Sequence, residues 1–171
     1  ELRLQTLVSL DPEPFDSLES ANRARLLDAA ICAQTITLAA RLRKLYLTGN
    51  GTFANSSPWY KAYSDYAISQ GIISSLPSDM NAPLTRQEFA SILAKALPSS
   101  ALPSVNDVPD GSIPDVYKSD KGIYQLYRAG VLSGNDDAGT FRPNAPITRA
   151  EVASVLVRMA DPNTRILFSL D

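Results

Sequence analysis

A chain of 171 residues with 44% hydrophobic and 20% charged residues has the make-up of a globular protein large enough for one compact domain. Its net charge of −2 argues against non-specific nucleic-acid binding, which needs a basic surface, and no apolar run approaches the ~20 residues of a membrane span. With no histidine and only Cys32 as cysteine, it lacks the commonest general base, every His-dependent triad, any intrachain disulfide and a thiolate zinc site, so no cofactor or metal is expected.

In chain order, the start at Glu1 carries no charged-plus-apolar leader, so an export signal is expected to have been removed or never present. Residues 1–20 follow no clear period; residues 2–7 and 165–170 are short apolar runs expected to pair as strands. Residues 23–46 read as one long helix. Cys32, inside Ala29-Ala30-Ile31-Cys32-Ala33, is expected to be a buried small hydrophobe. Gly49, Asn50, Gly51 and Thr52 form a connector.

Beyond that connector the chain repeats itself, a feature that decides the fold wherever it occurs. Pro83-Leu84-Thr85-Arg86-Gln87-Glu88-Phe89-Ala90-Ser91-Ile92-Leu93 matches Pro146-Ile147-Thr148-Arg149-Ala150-Glu151-Val152-Ala153-Ser154-Val155-Leu156, 63 residues on and without a gap. Upstream, Tyr66-Ala67-Ile68-Ser69-Gln70-Gly71-Ile72-Ile73 parallels Gln125-Leu126-Tyr127-Arg128-Ala129-Gly130-Val131-Leu132 at an offset of 59. Each unit reads helix, glycine stop, loop, helix. Gly71 and Gly130 stand where a helix ends in a left-handed residue. Phe89, Ile92, Leu93, Ala96 and Leu97 define one apolar face of the later helix, repeated by Val152, Val155, Leu156 and Met159, with Pro98 and Pro162 as stops. Residues 98–104 form a loop between the units.

A worn third copy precedes these two. One register lays residues 34–42 on residues 151–159, so that Ile31 and Cys32 replace the Thr-Arg pair; a rival register places Asn22 and Arg23 there. The first fits the apolar pattern of the long helix, and both lose the glutamate. The expected fold is mostly α, a pseudo-threefold assembly of helix-loop-helix repeats with short extended segments. Its units span residues 1–50, 51–103 and 104–171, the last with a C-terminal extension, in one compact domain.

Thr-x-x-Glu ahead of an apolar run is a capping box, which accounts for Thr85, Glu88, Thr148 and Glu151 by folding alone; Leu84 with Phe89 and Ile147 with Val152 add hydrophobic staples. Capping does not account for Arg86 and Arg149. They occupy the first helical position, where the helix dipole disfavours a cation by ~0.3–1 kcal/mol. An anion bound there meets unpaired amides, the dipole and a planar guanidinium together.

Gly139-Thr140-Phe141-Arg142-Pro143-Asn144-Ala145-Pro146 followed by Ile147-Thr148-Arg149-Ala150-Glu151 resembles the S-layer homology domain, whose pattern is a Gly-x-Phe-x-Pro loop and an Ile-Thr-Arg-Ala-Glu helix start. Ile113-Pro114-Asp115-Val116 resembles the family's opening Phe-x-Asp-Val, with isoleucine and proline substituted. The resemblance is strong over residues 113–160, fair over 58–97 and weak over 22–48. It implies a trimer of units that anchors exported proteins to pyruvylated secondary cell-wall polysaccharide, on the outside of a Gram-positive-type bacterium, in its wall or S-layer. The ligand would lie in grooves between units, with Arg149 and Arg86 facing the ketal carboxylate. The middle unit lacks the Gly-x-Phe-x-Pro loop and the first lacks the box, so at most two anion sites are implied.

Trp59 and Tyr60, with Tyr63, offer aromatic faces for sugar stacking or for core packing, and Lys61 and Lys118 offer positive charge to a ligand or to solvent. Asn135-Asp136-Asp137-Ala138-Gly139 fails as an EF-hand loop, because Gly134, Ala138 and Ala145 stand where oxygen ligands are required; a turn is expected instead. Asp107, Asp110, Asp115 and Asp120 lie in a Pro/Gly/Ser-rich connector, and no phosphate loop or nucleophile elbow is present, so no enzymatic activity is expected. The partner expected is a wall polysaccharide, with no nucleic acid and no membrane insertion. The alternative is a structural or protein-interaction spacer that keeps the fold without binding glycan.

Overall fold

The computed structural model describes residues 32–170. The expected strand at residues 2–7, the rival register at Asn22 and Arg23, and the first part of the long helix lie outside the described residues. Within them are five α-helices and no strand: α1 (Cys32–Thr48), α2 (Lys61–Ser69), α3 (Arg86–Leu93), α4 (Lys121–Arg128) and α5 (Arg149–Ala160), with 3-10 turns at Ser99–Ala101 and Pro162–Thr164.

α1 is mostly buried from Cys32 to Leu42, with Ala33, Ile36, Ala39, Ala40 and Leu42 fully covered, and exposed in its last turn at Tyr46 and Leu47. It packs against α2 and α3, and α3 packs against α4. The core runs on through Phe89, Leu93, Ile123, Tyr124, Leu126, Tyr127, Phe141 and Met159. Cys32 is 3% exposed, and burial followed by the nearby charges of Glu88 and Asp79 pushes its thiol pKa up, as suits a packing residue.

Both glycine stops take the left-handed conformation, with φ +66° at Gly71 and +68° at Gly130. Each closes a Schellman pair. Ile72 N donates to Ala67 O and Gly71 N to Ile68 O; Val131 N donates to Leu126 O and Gly130 N to Tyr127 O. Gly130 has a second task, since a Cβ there would lie 2.5 Å from the Ile166 carbonyl oxygen; at Gly71 nothing lies within 4 Å.

Two expectations are corrected. The apolar face of α3 continues to Leu97, but regular helix ends at Leu93: Lys95 N and Ala96 N turn to the carbonyls three residues back, tightening the last turn while Ala96 and Leu97 stay buried. Residues 165–170 form no strand. Ile166 N donates to Gly130 O, and the buried Asn106 holds the segment by donating to Ile166 O and accepting from Phe168 N at 3.0 Å. The aspartate-rich connector after Asn135 is a turn as expected, with Asn135 N donating to Thr140 O and Thr140 N to Asp136 Oδ1.

Candidate functional site

Each Thr-Arg-x-Glu box builds a complete capping box. Thr85 Oγ1 accepts from Glu88 N and Glu88 Oε2 accepts from Thr85 N at 2.9 Å; Thr148 and Glu151 repeat this, the second bond at 2.8 Å. The residues just ahead of the two helices meet each other. Thr85 and Pro146 form an isolated antiparallel bridge, with Ile147 N donating to Leu84 O at 3.1 Å.

The first amides of α3 are then used up by the loop of the next unit: Arg86 N donates to Ala145 O at 2.9 Å and Gln87 N to Pro143 O at 3.0 Å. The start of α1 makes the same two bonds. Cys32 N donates to Ala82 O and Ala33 N to Met80 O, with both acceptors 63 residues ahead of Ala145 and Pro143. Cys32 therefore stands where Arg86 stands, the correspondence given by the register that lays residues 34–42 on 151–159. At α5 the pattern stops. Arg149 N and Ala150 N have no acceptor among the described residues.

The two box arginines diverge in the same way. Arg86 is 8% exposed. Its Nε donates to Phe141 O at 2.7 Å, Nη1 pairs with Glu151 Oε1, and the guanidinium lies 5.2 Å from the Phe141 ring centroid. The dipole cost of a cation at that helix start is offset by a carbonyl, a carboxylate and a ring from the following unit. Arg86 thus has the intramolecular explanation that capping alone did not supply. Arg149 is exposed, with no hydrogen bond, ion pair or ring contact among the described residues.

Burial raises the Glu151 pKa, but the amide and hydroxyl of Thr148 and the Arg86 charge outweigh it, so the carboxyl titrates below its ordinary 4.5. Arg86, Glu151, Phe141, Ser154 and Arg158 line a cleft of about 300 Å³ between α3 and α5. A second cleft, about 520 Å³, lies beside Cys32 and is lined by Asp79, Leu84, Gln87, Glu88 and Ser91 among others.

Trp59, Tyr60, Lys61 and Lys118 line neither cleft. Trp59 and Tyr60 are half-buried against the core, edge to face with each other at 5.7 Å. Lys61 pairs with Asp65 at 2.6 Å one turn along α2, and Lys118 is exposed.

Sequence reasoning missed Asp115. Its two carboxylate oxygens accept from Phe141 N at 2.9 Å and Arg142 N at 2.7 Å, holding the Gly-x-Phe-x-Pro loop in place while Arg142 takes φ +60°. Tyr127 adds a 3.0 Å bond from its hydroxyl to Gly139 O. The signal was present in the Ile113-Pro114-Asp115-Val116 motif, but not what the aspartate grips. Of the other connector acids, Asp110 binds Lys121 and Arg128, and Asp120 lies 3.5 Å from the Gln87 amide nitrogen. Among the described residues no His, Cys, Asp and Glu side chains form a group of three or more able to hold a metal ion, and no helix is long and apolar enough to cross a membrane.

The mostly helical chain thus has two helix starts with the same box, one closed by the loop at Pro143 and Ala145 and one that is exposed and cationic among the described residues. Residues 112–153, from the motif around Asp115 to the first turn of α5, match the family model of the S-layer homology domain, a family of cell-wall anchoring domains. Comparison with curated proteins and with solved structures gives no match.

Proposed function

We propose that the chain is a non-enzymatic anchoring module of three S-layer-homology-like units, the first degenerate, arranged around a pseudo-threefold axis. It holds its parent protein non-covalently to an anionic, pyruvylated secondary cell-wall polysaccharide on the outside of a Gram-positive-type bacterium. Arg149 is the principal contact: its guanidinium and the amides of Arg149 and Ala150 together receive the ketal carboxylate. Arg86 ties the second unit to the third and meets ligand only if a carboxylate displaces Glu151. Trp59, Tyr60, Lys61 and Lys118 are secondary sugar contacts in this reading.

One observation carries the proposal. Among the described residues the bonds that seal the starts of α1 and α3 are missing at α5, and a cation and two amide donors stand there without a partner at the positive end of a 12-residue helix. At this exposed helix start the donors face water, and a carboxylate can replace it with the charge that both arginine and dipole favour.

The test is co-sedimentation with purified wall polysaccharide before and after removal of pyruvate. Binding that requires the pyruvate and is lost in Arg149→Ala, with melting behaviour unchanged, supports the proposal. Binding indifferent to both changes overturns it and leaves the structural or protein-interaction spacer as the reading.

A further inference from the structure

Asn50-Gly51 is the one place in the chain where an asparagine precedes a glycine. The side-chain amide carbon of an asparagine is open to attack by the next backbone nitrogen, and a glycine, with no Cβ, shields that nitrogen least. Whether the attack is helped or hindered depends on how the fold holds the oxygen, the leaving nitrogen and the attacking nitrogen.

α1 ends at Thr48, and the connector folds back on that end. Gly49 N donates to Leu45 O at 2.8 Å, Asn50 N to Thr48 Oγ1 at 3.3 Å, Arg41 Nε to Gly51 O at 3.4 Å and Lys44 Nζ to Thr52 O at 2.5 Å. Asn50 Oδ1 accepts from Thr52 N and from Thr52 Oγ1, each at 2.8 Å. A backbone N–H can only donate, so the amide oxygen, not its nitrogen, faces Thr52. Asn50 Nδ2 and Gly51 N have no hydrogen-bond partner among the described residues, and Asn50 and Thr52 are exposed to solvent. The oxygen is thus held by two donors, while the leaving and the attacking nitrogens are both unheld.

We propose that Asn50 is a self-modifying site, losing its amide through a cyclic imide with Thr52 as the oxyanion hole. Gly51 N gives its proton to water and bonds to Asn50 Cγ, and the negative charge gathers on Oδ1 against the two Thr52 donors. The Cγ–Nδ2 bond then breaks, and the nitrogen takes a proton back from water and leaves as ammonia. A water molecule opens the imide at either carbonyl, leaving an aspartyl residue at position 50 or an isoaspartyl one whose backbone runs through Cγ. Water is the only co-reactant, and nothing is oxidised or reduced. The product undoes the connector. A carboxylate is disfavoured at the negative end of α1. An isoaspartyl residue adds a backbone carbon ahead of the buried Gly51, where even a Cβ would lie 3.2 Å from the Arg41 carbonyl oxygen.

Incubation of the folded chain in mildly alkaline buffer, with peptide mass mapping and isoaspartyl detection over time, tests the proposal. Position 50 is expected to convert ahead of every other asparagine, and faster in the folded chain than in urea, where Thr52 no longer holds Oδ1. Thr52→Val removes the hydroxyl donor and is expected to slow the folded chain about tenfold, less than in an enclosed enzyme site because water competes here. Thr52→Ser is expected to keep the parent rate, and Asn50→Gln to stop the reaction. Slower conversion in the folded chain than in urea, or a folded Thr52→Val that reacts as fast as the parent, overturns the proposal. Neither result bears on the polysaccharide reading, which Arg149→Ala tests alone.

Discussion

Arg86 at the first turn of α3 is ion-paired with Glu151 at the first turn of α5, and the same carboxylate caps its own helix through Thr148. One side chain thus closes a helix end and joins two repeats. Removing its partner leaves a part-buried carboxylate unpaired and takes from the Phe141 carbonyl the shorter of its two bonds, the other coming from Asn135 Nδ2 at 3.2 Å.

Arg86→Ala is therefore expected to cost about 2–4 kcal/mol, below the value for a fully buried pair because Glu151 is partly solvated. Arg149→Ala is expected to change stability by no more than about 0.5 kcal/mol, as at an exposed surface position. Urea unfolding with an unchanged m-value checks both. Equal costs would contradict the different environments of the two boxes.

The Glu151 carboxyl has a folded pKa below its ordinary 4.5, because Thr148 and Arg86 overcome the opposing effect of burial. A depressed carboxyl pKa contributes stability that is present above the unfolded value and is lost as pH falls through the folded one. Stability is expected to decline below pH ~4.5, and Glu151→Gln to flatten that limb of the pH curve. In Arg86→Ala the Glu151 carboxyl is expected to titrate higher than in the parent, as followed by its side-chain carbon signal.

The two left-handed glycines separate a local cost from a tertiary one. Gly71→Ala meets open space and pays backbone strain alone, about 1–2 kcal/mol. Gly130→Ala pays that strain and drives a methyl into the Ile166 carbonyl, so about 3 kcal/mol or more is expected, with the C-terminal segment released. Thermal melts of the pair decide it, and similar Tm losses would sink the explanation.

Asp115→Ala removes both acceptors that hold Phe141 N and Arg142 N. An expected cost of about 2–4 kcal/mol follows from two bonds to a charged group. Because Arg86 anchors on the Phe141 carbonyl, hydrogen exchange is expected to rise at Arg86 N and Gln87 N as well as in the loop. Exchange confined to the loop would show that Asp115 does not support the contact between units.

Much of the fold was legible because its signals are local. The spacing of Phe89, Ile92 and Leu93, and of Val152, Val155 and Leu156, marks the buried faces, although Ile92 stays partly exposed. The unit-to-unit joints were not legible. The bridge from Thr85 to Pro146 and the grip of Asn106 on Ile166 join residues about 60 positions apart, with no periodicity linking them. The runs at 2–7 and 165–170 suggested a strand pair, but the later segment satisfies its backbone on Gly130 and Asn106 instead.

By itself the sequence determined the capping boxes at Thr85 and Thr148 and the stops at Gly71 and Gly130, because each depends on bonds among residues three to five apart. It could not determine the fate of the two arginines, since Thr85-Arg86-Gln87-Glu88 and Thr148-Arg149-Ala150-Glu151 are chemically almost the same. Tertiary structure decided that. The unit after Arg86 supplies a carbonyl, a carboxylate and a ring within reach, while Arg149 finds none among the described residues and keeps its charge for the solvent or a visiting anion.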